Sequence, residues 1–453
     1  SKKKKKYTQT YKMSLDPKKL VDSVNKDWDE EIIPALKEYI KIDNVSPDFD
    51  NEWNTNGKID KAVKLAYDWV VKQKVPGLKV QIIKDEEKTP IIFIEVDSTL
   101  KKENEHDKTV LMYGHLDKQP PMFGWDEKKG LGPYKPVILD GKLYGRGGAD
   151  DGYAIFSSVT AIKNLKNQNV PHARIVVVIE ACEESGSPHL ESYIDKLKEK
   201  IGNVNFVVCL DSGAGNYEQL WLTTTLRGVL MGSLRVDILH EGVHSGSGSG
   251  IIPDSFRIAR MLISRIEDEK TGKIIPKELY VDIPEARVKQ TSQCATILSN
   301  DIYSKMPFVS GGKPITDDLT ELLLNNWWRP TLTITGVDGL PSVKEGGNVV
   351  RPYTVLKLSV RLPPTLDPQK ATKALKEILE KDPPYGAKVE FKSLFPGGGW
   401  ESPAVAEWVY KAAERASKPY YYNSPFFLFA FFISFFHTSL LLSPYFLLFL
   451  LLL

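Results

Sequence analysis

The sequence predicts an α/β protein: a three-layer domain on a largely parallel sheet, interrupted by a smaller, inserted α+β domain. Three observations carry this. Short Val- and Ile-rich runs such as "PIIFIEV", "TVLMYG" and "RIVVVIEA" alternate with segments of helical period through the first half of the chain, the pattern of βαβ units whose strands are buried on both faces. From residue 229 the strands instead alternate apolar and polar residues, as in "VLMGSLRVDIL" and "VLKLSVRL", the mark of strands with one covered face. The chain has 453 residues, more than one core usually organises and suited to two or three domains.

The elements follow in order. Lys2–Lys6 is a charge block in a solvated arm spanning residues 1–13; no apolar run follows it, so it does not read as a secretory signal. Residues 14–42 and 58–74 carry apolar side chains at three- and four-residue steps and read as helices despite Pro34. After "VPG" come strands at "KVQIIK", "PIIFIEV" and "TVLMYG", then a helix at "YAIFSSVTAIKNL", a strand at "RIVVVIEA", a helix at "SPHLESYIDKLKEKI" and a strand at "NFVVCLD". The inserted domain is read as residues 229–393, with amphipathic helices at "PDSFRIARMLISRIEDE" and "PQKATKALKEILEKD". "FPGGGW" (395–400) reads as the linker back, and "ESPAVAEWVYKAAERAS" as a further helix of the first domain, which thus spans 14–228 and 394–418.

Lys and Arg number 60 against 58 Asp and Glu, a net charge of +2, so no basic face for nucleic acid is implied. Three cysteines, Cys182, Cys209 and Cys294, cannot frame a disulfide scaffold. Two sit in apolar strand-like runs as small hydrophobes, and a reducing, cytoplasmic setting is expected. His189 and His240 read as surface residues.

The chemistry gathers where apolar strands give out. "YGHLDKQP" places His115 and Asp117 at such an end, "LYGRGGADDG" supplies Asp150 and Asp151, "IEACEESGS" supplies Glu183 and Glu184, and "VVCLDSG" supplies Asp211. Singly, each has an ordinary reading, as a helix cap or a solvated pair. In a parallel sheet, however, strand ends share one edge, where open α/β folds place ligands. So many carboxylates there repel unless a cation sits among them, and a mixed His and carboxylate set suits Zn²⁺, Mn²⁺ or Co²⁺ better than Ca²⁺. Alternation along an extended segment lets Asp117 lie beside His115 and orient its ring. Adjacent Glu183 and Glu184 point differently, so one can bind metal while the other acts as general base. Two metals bridged by an aspartate suit hydrolysis of an amide.

The order HLD, GRG..DD, EESGS, a lone Asp and HSG resembles the dinuclear zinc peptidases of the carnosinase and cytosolic non-specific dipeptidase type, over about residues 14–418. The resemblance implies that His115, Asp150 and Asp211 bind one ion (Zn or Mn), and Asp150 and Glu184 a second. It implies that Glu183 is the general base and that Asp117 steadies His115. The inserted domain would be a lid and homodimerisation domain. His244 in "EGVHSGSGSG" would reach the partner's active site, and Arg361 in "SVRLPP" would take a substrate carboxylate. Short peptides are the implied substrates, with N-acyl amino acids as the alternative within the family.

Two departures stand out. Gly152 follows the acidic pair where the family usually has Lys. From residue 419 the chain reads "PYYYNSPFFLFAFFISFFHTSLLLSPYFLLFLLLL", without the family's late Gly-Gly-Ser-Ile-Pro-like loop and metal-binding histidine; His437 is not in that setting. The expectation is an incomplete second metal site and low activity. From Ser424 to Leu453 every residue except Ala430, Ile433, His437, Thr438 and Tyr445 is Phe, Leu, Ser or Pro, all of which pyrimidine codons can write, so the tail reads as an aberrant, non-coding stretch. The rival reading is a non-catalytic, membrane-tethered relative, because the uncharged run exceeds the roughly 20 residues that span a bilayer.

Overall fold

The computed structural model describes residues 15–100 and 108–418, together with the backbone of Leu428–Phe429. The basic arm and, apart from that backbone pair, the apolar tail with His437 lie outside the described residues. No helix among the described residues is long and apolar enough to cross a membrane.

The described chain divides into two compact units, the first running to Leu220 and resuming at Ala406, the second covering Trp221–Val405. The sequence pattern puts these borders at residues 228 and 393, and the strand pairing explains the difference. Thr225 and Leu226 pair with Glu401 and Trp400, and Phe395–Gly397 pair with Met231–Val229. "FPGGGW" is therefore largely strand of the second unit, not a linker.

In the first unit, α1 (Pro17–Asp27) is capped by Asp16, whose carboxylate accepts from the Lys18 and Lys19 amides. It continues through a wider turn at Trp28–Ile32 into α2 (Ile33–Ile40). Pro34 falls at the start of α2, where a missing N–H costs least. Helix α3 (Lys58–Lys72) precedes β1 (Leu78–Ile83), β2 (Ile91–Val96) and β3 (Thr109–His115). A hairpin, β4 (Val137–Leu139) and β5 (Lys142–Tyr144), turns at Asp140 and Gly141, both at positive φ, the turn that matches strand twist. Then come α4 (Ala154–Asn167), β6 (Arg174–Glu180), α5 (Leu190–Ile201) and β7 (Val204–Cys209).

The sheet order is β1-β2-β6-β3-β7. Pairing is parallel between β6 and β3 and between β3 and β7, and antiparallel on both sides of β2, so every strand but β2 runs the same way. Alternate residues of the central strands divide between two cores. Ile92, Ile94, Ile175, Val177 and Ile179 pack with α1–α4, whereas Ile91, Phe93, Val176 and Val178 pack with Tyr193, Leu197 and Ile201 of α5. Each such fully buried side chain contributes about 1.5–3 kcal/mol, and together they make the three layers.

The second unit is a four-stranded antiparallel sheet in the order Thr331–Asp338, Tyr353–Leu362, Gly228–Asp237, Lys388–Gly397. Its buried face (Leu230, Leu234, Leu356, Leu358, Val360) meets Ile258, Ala259 and Leu262 of one helix and Ala371, Leu375 and Leu379 of another. The first of these helices spans only Ser255–Ile263, shorter than its apolar period suggests. The Ile266 amide turns back to the Ile263 carbonyl, and Glu267 bridges to Ile274, which sends Ile266 and Ile274 into the core.

Candidate metal centre

Because β3, β6 and β7 are parallel, their C-terminal ends share one edge. His115 closes β3, a short turn at Glu183–Ser185 follows β6, and Asp211 follows β7. The fourth contributor is the glycine-rich loop before α4. Gly147 (φ 81°) could carry no Cβ there without meeting the Lys118 side chain at 2.4 Å, and a Cβ on Gly152 would lie 2.2 Å from the Tyr39 ring. That close approach brings Asp150 and Asp151 under β3.

His115 is fully buried. Its Nδ1 faces Asp117, 3.1 Å from the main-chain oxygen and 3.4 Å from Oδ1. A proton on Nδ1 satisfies both, leaving the Nε2 lone pair outward. Nε2 lies 3.5 Å from Asp150 Oδ1, 3.8 Å from Glu183 Oε2 and 3.9 Å from Asp211 Oδ2. It has no hydrogen-bond partner among the described residues, and neither has the buried Glu184 Oε1. Asp117 does more than face the imidazole: its two oxygens accept the amides of Glu183 and Glu184, both at 3.0 Å. Asp151 Oδ2 accepts the His115 amide at 3.2 Å, and Gln119 Nε2 donates to Glu184 Oε2.

The electrostatics show what the cluster lacks. Burial alone pulls His115 down, but the carboxylates of Asp117 and Asp150 beside its ring lift it well above the usual imidazole value. Asp117, buried, and Asp150, half-buried, both face the imidazole and are held low. Burial raises the others: Glu183 to about 7, with Asp211 adding to the shift, and Glu184 to about 9, with Asp150 adding to it. Asp211 is raised, and Asp151 well above the carboxylate range, each by burial and by carboxylate neighbours. Such a set must either take up protons and lose its charge or stay ionised around cations. The donor geometry fits cations. One ligand atom each from His115, Asp150 and Asp211 lie within 4.8 Å of one another, and so do those of His115, Glu183 and Glu184. One imidazole among carboxylate oxygens suits Zn²⁺, Mn²⁺ or Co²⁺.

Thus His115, Asp117, Asp150, Glu183, Glu184 and Asp211 come together. His244 and Arg361 lie in the second unit. His244 is exposed on a short strand, its Nδ1 accepting the Gly246 amide at 3.1 Å. Arg361 is half-buried, opposite Val229 and Thr331 in the second sheet. Two other expectations need correction. His189 is half-buried, its Nδ1 3.2 Å from the Thr89 amide. Cys209 is exposed rather than in the core, because β7 is the last strand of its sheet among the described residues and Cys209 shares its exposed side with Asn205 and Val207. Gln119 and Lys118 were not singled out from sequence. Gln119 follows from the alternation that pairs His115 with Asp117, since it continues the same face. Lys118 gives no such signal, because its partners lie more than seventy residues away.

A buried imidazole among carboxylates at the edge of a largely parallel sheet is a candidate divalent-metal centre, of the kind that hydrolases place there. The chain belongs to Peptidase family M20/M25/M40, which it matches over residues 111–424. It is 29% identical to the mouse (Mus musculus) Beta-Ala-His dipeptidase over 297 residues, 64% of this chain and 58% of that protein. It is 28% identical to the Saccharomyces cerevisiae Cys-Gly metallodipeptidase DUG1 over 336 residues, 70% of this chain and 66% of that one. The chain thus spans about 58% of the length of the mouse relative. The crystal structure of human carnosine dipeptidase 1 shares the fold at a TM-score of 0.70 and 22% identity, covering 91% of this chain and 87% of that one. The S. cerevisiae Dug1p structure shares it at 0.68 and 23%, covering 92% and 87%.

Proposed function

We propose that this chain is a metal-dependent dipeptidase that hydrolyses short peptides with a free C-terminus. The observation that carries the reading is the crowding around one imidazole nitrogen: Asp150, Glu183 and Asp211 oxygens lie 3.5 Å, 3.8 Å and 3.9 Å from His115 Nε2, and Asp150 also acts on Glu184, so one carboxylate can serve two neighbouring cations. His115, Asp150 and Asp211 would hold one ion, and Asp150 with Glu184 the other. Bound divalent cations would supply an activated water and polarise the scissile carbonyl. Glu183 Oε2, 3.8 Å from His115 Nε2, takes the water's proton and returns it to the leaving amine. Asp117 keeps the proton on His115 Nδ1 and, through its two amide contacts, fixes the direction of both glutamates.

In the second unit, Arg361 takes the substrate carboxylate through its forked guanidinium. His244, whose Nδ1 is an acceptor, presents Nε2–H when neutral and so can donate to an oxyanion across a homodimer formed through the inserted lid domain. The Glu184 side has no second imidazole among the described residues; its ion is held more weakly and turnover is low. The reading includes a cytoplasmic setting, in which Cys182, Cys209 and Cys294 stay as thiols.

The test uses the full chain with Mn²⁺ or Zn²⁺ against β-Ala-His, Cys-Gly and N-acetyl amino acids side by side. Dipeptide hydrolysis that a chelator abolishes and metal restores supports the reading. Hydrolysis of the N-acetyl compounds alone makes it a deacylase, and no turnover of any substrate overturns it. Calorimetric titration with Mn²⁺ should resolve one tight and one weak ion; two equally tight ions would refute the unequal pair.

A further inference from the structure

We propose that Lys118 is a positioning residue that locks two ligand-bearing segments to the end of α2; the inference rests on the metal-centre reading. Lys118 is fully buried, yet its ammonium faces no carboxylate at ion-pair distance among the described residues. Nζ donates instead to the carbonyls of Tyr39 (2.8 Å), Ile42 (2.6 Å) and Ile40 (3.5 Å) and sits 4.0 Å from the centre of the Tyr39 ring. These carbonyls belong to the C-terminus of α2 and the turn after it, where a helix leaves acceptors without intrahelical donors and favours a cation. One buried ammonium therefore satisfies a helix end that would otherwise be costly to enclose.

The placement of Lys118 in the chain gives this tether its consequence. Residues 115–119 alternate. His115, Asp117 and Gln119 face the centre, where they act on Asp150, on the Glu183 and Glu184 amides and on Glu184 itself. Leu116 and Lys118 face the other way. The Leu116 carbonyl accepts from Tyr39 Oη at 2.7 Å and Asn44 Nδ2 at 2.6 Å, and the Lys118 carbonyl accepts the Ser46 amide at 2.9 Å. The Lys118 stem, in turn, fills the space beside Gly147, where a Cβ would lie 2.4–2.8 Å from its methylenes. Three residues on, that loop presents Asp150. Lys118 thus registers the Asp117–Gln119 segment and the Asp150 loop against the same helix end. Loss of the ammonium frees both, so the ligands around His115 lose their spacing while the sheet itself stays intact.

The test is Mn²⁺ binding by the full chain, followed calorimetrically, with each constant referred to the folded fraction from near-ultraviolet circular dichroism. Lys118→Met keeps the stem and removes the ammonium; Lys118→Gln keeps a donor without the charge; Lys118→Arg restores a cation. Tenfold or greater loss of Mn²⁺ affinity is expected for the first two, with part of it recovered by Lys118→Arg. Lys118→Met or Lys118→Gln folding and binding Mn²⁺ as the unaltered chain does would overturn the proposal. A purely structural role would lower the thermal midpoint but leave the binding constant unchanged. If the unaltered chain binds Mn²⁺ but cleaves no dipeptide, the proposed reaction fails while this inference still stands.

Discussion

His115 supplies the one imidazole of the cluster, with Asp150, Glu183 and Asp211 gathered around its Nε2, so its removal differs in kind from removal of any one carboxylate. His115→Ala is expected to abolish high-affinity Mn²⁺ binding altogether. Glu183→Gln leaves the His115, Asp150 and Asp211 group whole, so it should retain at least one Mn²⁺. It should lower kcat roughly 10²- to 10⁴-fold, the usual contribution of a general base, with little change in KM. Metal analysis and steady-state kinetics on the same preparations check the pair; Glu183→Gln with unaltered kcat would remove it from the chemistry. At this scale the sequence was informative where residues alternate on an extended segment. His115 and Asp117 could be placed on one face from spacing alone. The clamp from Asp117 to the Glu183 and Glu184 amides could not, because it spans sixty-six and sixty-seven residues of chain and involves backbone donors that leave no mark in composition.

The strands place these residues only because the elements approach unusually closely. Gly114, one residue before His115, packs against α4 so tightly that a Cβ would lie 2.4 Å from Ala154 Cβ and 2.6 Å from Asp151 Oδ2. Gly114→Ala is therefore expected to destabilise the first unit by about 1–3 kcal/mol and to push Asp151 off the His115 amide. Urea denaturation of the metal-free chain measures it, and an unchanged midpoint would contradict the close packing. At the rim of the same sheet, β7 pairs only with β3 among the described residues, and Val207 is 55% exposed. An apolar edge strand of this kind invites pairing between molecules. Val207→Lys should lower aggregation in light scattering while leaving stability within about 0.5 kcal/mol. Apolar periodicity was enough to locate β1–β3, β6, β7 and their helices. It failed where another signal governs: at the Asp140–Gly141 hairpin, whose cue is turn chemistry, and at the helix from Ser255. There Ile266 keeps the helical spacing but is buried by a turn instead.

On the scale of the whole molecule, two units with separate cores invite a test that one of them alone should answer. The insertion could be read from the change in strand texture, whereas its borders could not, since residues 221–228 read as the close of the first domain and 395–400 as a linker until they pair. The candidate metal ligands lie wholly in the first unit, and their crowding makes that unit's stability depend on pH in a defined direction. Without metal, Glu183 is pushed up to about 7 and Glu184 to about 9 from an ordinary 4.5, and Asp211 and Asp151 are raised as well. Between 4.5 and those values the folded chain binds more protons than the unfolded one, so stability falls as pH rises. It is greatest near the lower limit and is lost through about 7 to 9. Asp117 and Asp150, held low, act only below the ordinary carboxylate range, outside this window. Bound cations replace the protons, so metal should stabilise most at high pH, and at one hundred times its Kd an ion adds about 2.7 kcal/mol. Thermal unfolding from pH 5.5 to 9 is expected to show the metal-free midpoint of one transition declining, with Mn²⁺ flattening or reversing the decline. A metal-free chain whose midpoint rises over that range would show that the carboxylates are not crowded around His115 as the structure has them.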